Sequence, residues 1–389
     1  MKDVEYLVGS EKFKGAPLMP FAPAACDFLH GLSQALMKTG RNYPDILSFA
    51  YWCRKGNIEK LKENWPERHH RLGRGIAFHI TPANIPVNFA FSFVFSLLAG
   101  NGNIVRVPSK PFPQVEIICS AINKLLPEYP ELNGYQQFIR YPSRLGEITA
   151  AFSRQADIRI IWGGDQTIAD LRQISTKPRC LDICFADRYS AAILNGNAIL
   201  ALDEKGLSSL AGQFYNDTFL MDQNACSSPQ VIFWQNDSQK ARQIFWRAVS
   251  SLARERYQMQ GAVAIDKYTQ MFEDAIERPE IKSISFKDGF LYRMELASLE
   301  KDLEALRGKG GYFYEYPLES LRELEEVVTD KFQTITCFGT DAQTLREFIL
   351  KSRLPGVDRI VPVGQAMNIG LFWDGFDLIS TLSRYVDIG

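Results

Sequence analysis

The chain has 389 residues, 46% hydrophobic and 23% charged, a balance that predicts two folded domains of ordinary size and excludes a disordered chain. Lys plus Arg number 44 against 45 Asp plus Glu, so no basic surplus exists to neutralise a phosphate backbone, and nucleic acid is not an expected partner. The segment from Met1 to Gly15 is polar and lacks an apolar signal core. The most apolar stretch, Ile85 to Gly100, is broken by Pro86, Asn88, Ser92 and Ser96 and falls short of the roughly 20 residues of a bilayer span. A cytoplasmic protein without a membrane span is expected.

Residues 1 to 73 read as mostly helical, with Asp45 to Trp52 and Asn57 to Trp65 as helical pieces. From Gly73 the texture changes. Gly75 to Ile80 reads as a strand, Thr81 to Pro86 as a turn, and the apolar run to Ala99 as a helix. Asn103 to Val107 is a second strand, followed by a Pro-Ser turn and a helix from Gln114 to Leu126. Gln136 to Arg140 and Ile158 to Trp162 are further strands, and Asp165 to Arg172 opens a helix. This alternation predicts an α/β protein, its parallel sheet covered by helices and binding ligands at the carboxyl ends of its strands. A second unit begins near Leu202, with a helix to Met221, a strand from Gln230 to Trp234 and a helix from Asp237 to Met259. A β-rich piece at Phe332 to Gly339, another helix and Arg359 to Val363 close it.

Seven cysteines stand at scattered positions, with no CxxC pair, as expected of thiols in a reducing compartment. Cys180 and Cys184 are four residues apart, but no further ligand lies nearby, so no metal is expected. All four histidines (His30, His69, His70, His79) lie in the first eighty residues, and nothing in the spacing asks for a Ser-His-Asp or Cys-His site.

Three segments carry candidate chemistry. Cys226 sits where a helix gives way to a strand, among the small residues Ala225, Ser227 and Ser228. A nucleophilic thiol needs such room, together with free backbone N–H groups for an oxyanion; a small Cys at a packed turn is the plainer reading. Asn84, between two prolines, presents an amide from a rigid turn or simply satisfies that turn. Gly163 and Gly164 follow a strand and precede a helix, where the backbone can approach an anion such as a pyrophosphate, or where the chain merely turns tightly. No GxGxxG occurs.

These blocks together resemble the LuxC-type fatty acyl-CoA reductases of bacterial luminescence, an offshoot of the aldehyde dehydrogenase superfamily. The resemblance runs from about Gly73 to the C-terminus. It is carried by His79-Ile-Thr-Pro-Ala-Asn-Ile-Pro86, Leu98 to Ser109, Trp162-Gly-Gly-Asp165, Pro178-Arg179 and Phe185-Ala-Asp-Arg-Tyr-Ser190. Asp222-Gln-Asn-Ala-Cys-Ser-Ser-Pro229, Gln333-Thr334, Asp358 to Gln365 and Trp373-Asp-Gly375 complete it.

The resemblance implies an aldehyde dehydrogenase-like fold. A Rossmann-like cofactor-binding domain would span residues 1–204, with the helical N-terminal segment. An α/β catalytic domain would span 205–362, and residues 363–389 would pack back on the body. It implies that Cys226 attacks a thioester, that Asn84 and the Cys226 N–H hold the oxyanion, and that Thr81, Pro82, Arg106, Ser109, Lys110, Gly163, Gly164, Gln333 and Thr334 serve the cofactor. In aldehyde-oxidising relatives a glutamate activates the water that hydrolyses the acyl-enzyme. That place falls here on Phe185, with Asp187 close by, which favours reduction over hydrolysis. NAD-preferring relatives often place a Glu just beyond Pro-Ser; here Lys110 follows, with Arg106 nearby, so NADPH is expected over NADH. Asp330 is a weak candidate for the nicotinamide ribose. The donor would be an acyl-CoA or acyl-protein, with an acyl-activating synthetase as possible partner and a homo-oligomeric state. An acyl-phosphate reductase and a non-catalytic acyl-transfer subunit are the alternatives.

Overall fold

The structure is a computed structural model and describes residues 3–65, 70–82, 85–142 and 144–388. It divides into two compact units, residues 1–186 with 370–389 and residues 187–369. The division precedes the expected boundary at 204/205, because Tyr189–Asn195 is hydrogen-bonded into the second sheet, between Val231–Gln235 and Phe332–Phe338. The last segment likewise leaves at Gly370 rather than at Val363, whose N–H is bonded to Cys337.

The first unit opens with strand β1 (Glu5–Val8) and helices α1 (Pro23–Thr39), α2 (Pro44–Trp52) and α3 (Lys55–Glu63). Proline at the first turn of α1 and α2 pre-sets the helical φ where an N–H would have no partner. Strands β2 (Arg71–Gly73) and β3 (Ile76–Ile80) follow, then α4 (Asn88–Leu98), β4 (Gly102–Arg106), α5 (Pro113–Leu125) and β5 (Gln136–Arg140). Helix α6 (Gly146–Gln155), β6 (Ile158–Trp162), α7 (Asp165–Arg172) and β7 (Leu181–Phe185) complete the run. The sheet order is β1-β5-β4-β3-β6-β7, parallel except for β1. The chain leaves β3 toward β4 and β5, then returns to β6 and β7 on the other side. The switch point therefore lies between β3 and β6, where a crevice opens at the carboxyl ends. Helix α4 is buried nearly all round, and Phe89 and Phe93 meet Phe138 of β5 edge-on at 5.9 and 4.9 Å. Each such ring removed from water stabilises the fold by about 2 kcal/mol.

The second unit runs β8 (Tyr189–Asn195), α8 (Gly196–Leu200), α9 (Glu204–Thr218), β9 (Val231–Gln235), α10 (Gln239–Arg256) and α11 (Gly261–Glu277). Strands β10 (Ile281–Lys287), β11 (Leu291–Leu296), β12 (Tyr312–Pro317) and β13 (Phe332–Phe338), helix α12 (Ala342–Ser352) and β14 (Arg359–Pro362) finish it. The order is β10-β11-β12-β9-β8-β13-β14, parallel except for β10. Here the switch point falls between β8 and β13. Glu315 is buried, yet its carboxylate accepts from the indoles of Trp234 and Trp246 at 2.8 and 2.6 Å and faces Arg293 at 3.3 Å. Those partners offset the desolvation of the charge.

The chain then returns to the first unit as β15 (Phe372–Trp373), β16 (Phe376–Asp377), α13 (Leu378–Leu382) and β17 (Ser383–Tyr385), the last pairing with β2. No described helix is long and apolar enough to cross a membrane.

Candidate functional site

The loop that carries Cys226 is held in a costly conformation. After α9 and one tight turn, Asp222 and Gln223 both take left-handed backbone, with φ of 51° and 60°. Such non-glycine residues cost about 1 kcal/mol or more each and persist only when the surroundings fix them. The Tyr257 hydroxyl donates to the Asp222 carboxylate at 2.7 Å. The buried Gln223 amide donates to the carbonyls of Pro229 and Tyr312 and accepts from the N–H groups of Gly311 and Tyr312. All four bonds lie between 2.8 and 3.1 Å.

Cys226 is half-buried at the end of this loop, five residues before β9 and at the amino ends of the parallel strands. The Gln333 amide donates to its sulfur at 3.5 Å. The Ser190 hydroxyl donates to its carbonyl at 2.6 Å, and the Thr334 N–H donates to Ser190 Oγ at 3.2 Å. Ser228 donates to the Asp217 carbonyl at 2.8 Å, while Ser227 lies 3.8 Å from the Met367 sulfur. The Asp217 carboxylate accepts from the N–H groups of Gly364 and Ala366, and burial pushes it up to about 6. Arg359 donates to the carbonyls of Gln365, Ala366 and Asn368, and its guanidinium feels the charges of both Asp217 and Cys226.

The other six thiols are set against nucleophilic work. Burial pushes Cys26 up to about 11 and raises Cys53, Cys119, Cys180, Cys184 and Cys337 as well. A thiol that stays protonated is a poor nucleophile. Among the described residues, no three of His, Cys, Asp and Glu group as a metal would require.

In the first unit, the expected cofactor residues line the carboxyl edge of the sheet. Thr81 follows β3 and donates its hydroxyl to the Arg106 carbonyl at 2.8 Å, tying the ends of β3 and β4 together; Pro82 comes next. The Arg106 guanidinium lies 4.6 Å over the Tyr141 ring, and the exposed Lys110 lies 5.2 Å over Phe112. Exposed Ser109 borders a cavity of about 720 Å³ with Arg140 and Arg144. Gly163 and Gly164 follow β6, on the far side of the switch point, and the space beside Gly164 is open. Asn84 lies outside the described residues.

These features fit a dinucleotide at the switch point, with one departure. Asp165 occupies the first turn of α7 and already compensates its dipole, so the helix start is a weaker seat for a pyrophosphate than expected.

Behind this edge runs a buried polar chain. The Trp162 indole donates to Ser92 at 3.1 Å, and Ser92 meets His79 Nδ1 at 2.8 Å. His79 Nε2 meets Asn103 at 2.9 Å, and Asn103 donates to Gln136 at 2.8 Å. Burial pushes His79 down to about 4, so it is neutral and structural. The chain ties both arms of the switch point to α4.

Residues 54–280, more than half of the chain, match the acyl-CoA reductase (LuxC) family. The chain belongs to the acyl-CoA reductase (LuxC) family. Its fold is that of the aldehyde dehydrogenases. The structure is similar to aldehyde dehydrogenase 21 from Physcomitrella patens, with a TM-score of 0.64 at 10% identity over 93% of this chain and 84% of that one. It is similar to the Thermus thermophilus 1-pyrroline-5-carboxylate dehydrogenase, with a TM-score of 0.63 at 11% identity over 92% and 80%. Bifunctional proline utilization A matches with a TM-score of 0.64 at 15% identity over 93% of this chain, which spans only 42% of that longer protein. No curated protein sequence matches the chain.

The LuxC family blocks fall at defined places. Phe185 is buried and stacks on Trp162 with centroids 3.9 Å apart. Asp187 is engaged by Arg307 through two bonds of 3.0 and 2.8 Å. Asp330 is exposed in the turn before β13. Gln333 and Thr334 gather at Cys226. Ser190, Asp217, Gln223 and Arg359 carry the loop as well, although sequence reasoning gave them no role. Their membership of family blocks, Asp217 excepted, was the signal available.

Proposed function

We propose that this chain is an acyl-thioester reductase that forms an aldehyde through an acyl group on Cys226, with NADPH as reductant. The observation that carries the reading is the Cys226 loop: a half-buried sulfur with an amide donor at 3.5 Å, flanked by small residues, in a chain of the acyl-CoA reductase family.

The Cys226 sulfur attacks the thioester carbonyl, and the tetrahedral oxyanion accepts from the Cys226 N–H and the Asn84 amide, a stabilisation of about 3 kcal/mol per donor in such sites. Collapse breaks the bond to the coenzyme A sulfur, which leaves as thiolate, and the acyl group stays on Cys226. Thr81, Pro82, Arg106, Ser109, Lys110, Gly163 and Gly164 would hold NADPH, which supplies a hydride when bound. Reduction of the acyl carbonyl gives a thiohemiacetal oxyanion; its C–S bond then breaks to release the aldehyde and return the Cys226 thiolate. Two electrons and one proton are consumed per acyl group. The buried Phe185, with no carboxylate at its position, supports reduction over hydrolysis.

The test is loss of NADPH absorbance with long- and short-chain acyl-CoA, comparing the wild type with Cys226→Ala. Expected are thioester-dependent turnover, aldehyde and free coenzyme A, all absent in the variant. Release of phosphate from an acyl phosphate, with no turnover of any acyl-CoA, would overturn the thioester as donor.

A further inference from the structure

No histidine follows His79 in the sequence. Ser190 on β8 and Thr334 on β13 are register partners in adjacent parallel strands, at the switch point of the second sheet. Ser190 Oγ accepts from the Thr334 N–H at 3.2 Å, and its own proton goes to the Cys226 carbonyl at 2.6 Å. The Thr334 hydroxyl donates to Gln333 Oε1 at 3.3 Å. The amide lies with its oxygen toward Thr334 and its NH₂ toward the Cys226 sulfur at 3.5 Å. A closed ring results, running from the Cys226 carbonyl through Ser190, Thr334 and Gln333 back to the Cys226 sulfur.

The ring has a chemical sense. An amide N–H aimed at sulfur stabilises the form with the stronger acceptor, the thiolate. Arg359, the register partner of Thr334 on β14, adds positive charge that reaches Cys226, with the Asp217 carboxylate on α9 as the opposing charge. Accepting that Cys226 is the nucleophile, we propose that Gln333 is a second catalytic residue, which holds the Cys226 sulfur as a thiolate. Thr334 and Ser190 are then positioning residues that orient the amide and the loop.

The test is alkylation of Cys226 by iodoacetamide across a pH series, read on the Cys226 peptide by mass, in protein without acyl donor or cofactor. The wild type is expected to show a midpoint below the ordinary thiol range of about 8.5. Gln333→Met is expected to raise that midpoint by about one unit, Thr334→Val to move it the same way, and Thr334→Ser to restore it. Wild-type profiles in both Gln333→Met and Thr334→Val, with unchanged circular dichroism, overturn the proposal. If Gln333→Met does not fold, the Thr334→Val and Thr334→Ser pair decides alone. Because alkylation needs neither substrate nor cofactor, a shifted profile in an enzyme inactive on every acyl-CoA would sink the thioester reading and leave this one standing. An active enzyme with unmoved profiles would do the reverse.

Discussion

Ser228 donates its hydroxyl to the main-chain oxygen of Asp217 at 2.8 Å, while the carboxylate of that same aspartate accepts from Gly364 and Ala366 at 2.6 and 2.9 Å. One residue at the end of α9 thus holds both the Cys226 loop and the segment after β14. Its carboxyl pays for burial: it rises from 3.8 to about 6. The folded state therefore keeps a proton that the unfolded chain releases. The contribution to stability is full below pH 3.8 and is lost as pH rises through about 6, roughly 3 kcal/mol in all. Denaturant titrations from pH 4 to pH 7 are expected to show the stability difference between wild type and Asp217→Asn shrinking by this amount, whatever slope other groups add to both proteins.

His79 works in the opposite sense. Its folded value of about 4 lies below the ordinary 6.5, so the unfolded chain takes up a proton that the folded one refuses. Stability from this group is present above pH 6.5 and falls away toward pH 4, by roughly 3 kcal/mol. His79→Gln should remove that slope, and equilibrium unfolding of the two proteins at pH 7 and pH 4.5 measures it.

Gln223 makes four hydrogen bonds from a side chain that is 1% exposed. Gln223→Leu leaves two carbonyls and two N–H groups without partners at nearly constant volume, which should cost about 3 kcal/mol. The midpoint of urea unfolding reads this cost. Acylation of Cys226 should fall further than the unfolded fraction explains, because the left-handed turn at 222–223 loses its clamp.

Arg106 at the end of β4 and Lys110 just beyond it place positive charge at this edge. Lys110→Glu should lower the ratio of kcat/KM for NADPH over NADH by tenfold or more, since a carboxylate repels a 2′-phosphate and accepts from a ribose hydroxyl. Initial rates with both cofactors check it, and a wild type that prefers NADH removes the premise.

Much of the fold was legible because strands such as 103–107, 136–140 and 158–162 carry short apolar, β-branched or aromatic cores (Ile104-Val105, Phe138-Ile139, Ile160-Ile161) between helices. What escaped were the half-exposed edge strands β1, β2 and β7, whose patterns are mixed, and the run from β10 to β12, where aromatic residues alternate with charges. Tyr189–Asn195 also went unread, which displaced the domain boundary. Cys226 was legible from its small neighbours and the family blocks around it. The groups that hold it were not, because the roles of Ser190 and Thr334 arise from register between strands separated by 144 residues. Gln333 and Thr334 were picked out for the cofactor; their hydrogen bonds run to Cys226 and Ser190.

That separation has a consequence for the life of the chain before it is complete. The amide can face the sulfur only after the β8–β13 pair of the second sheet has docked, and such long-range parallel pairing is slow to form. On the proposal that Gln333 holds the thiolate, Cys226 is an ordinary thiol until then, and enhanced reactivity at this one sulfur becomes a reporter of completed assembly.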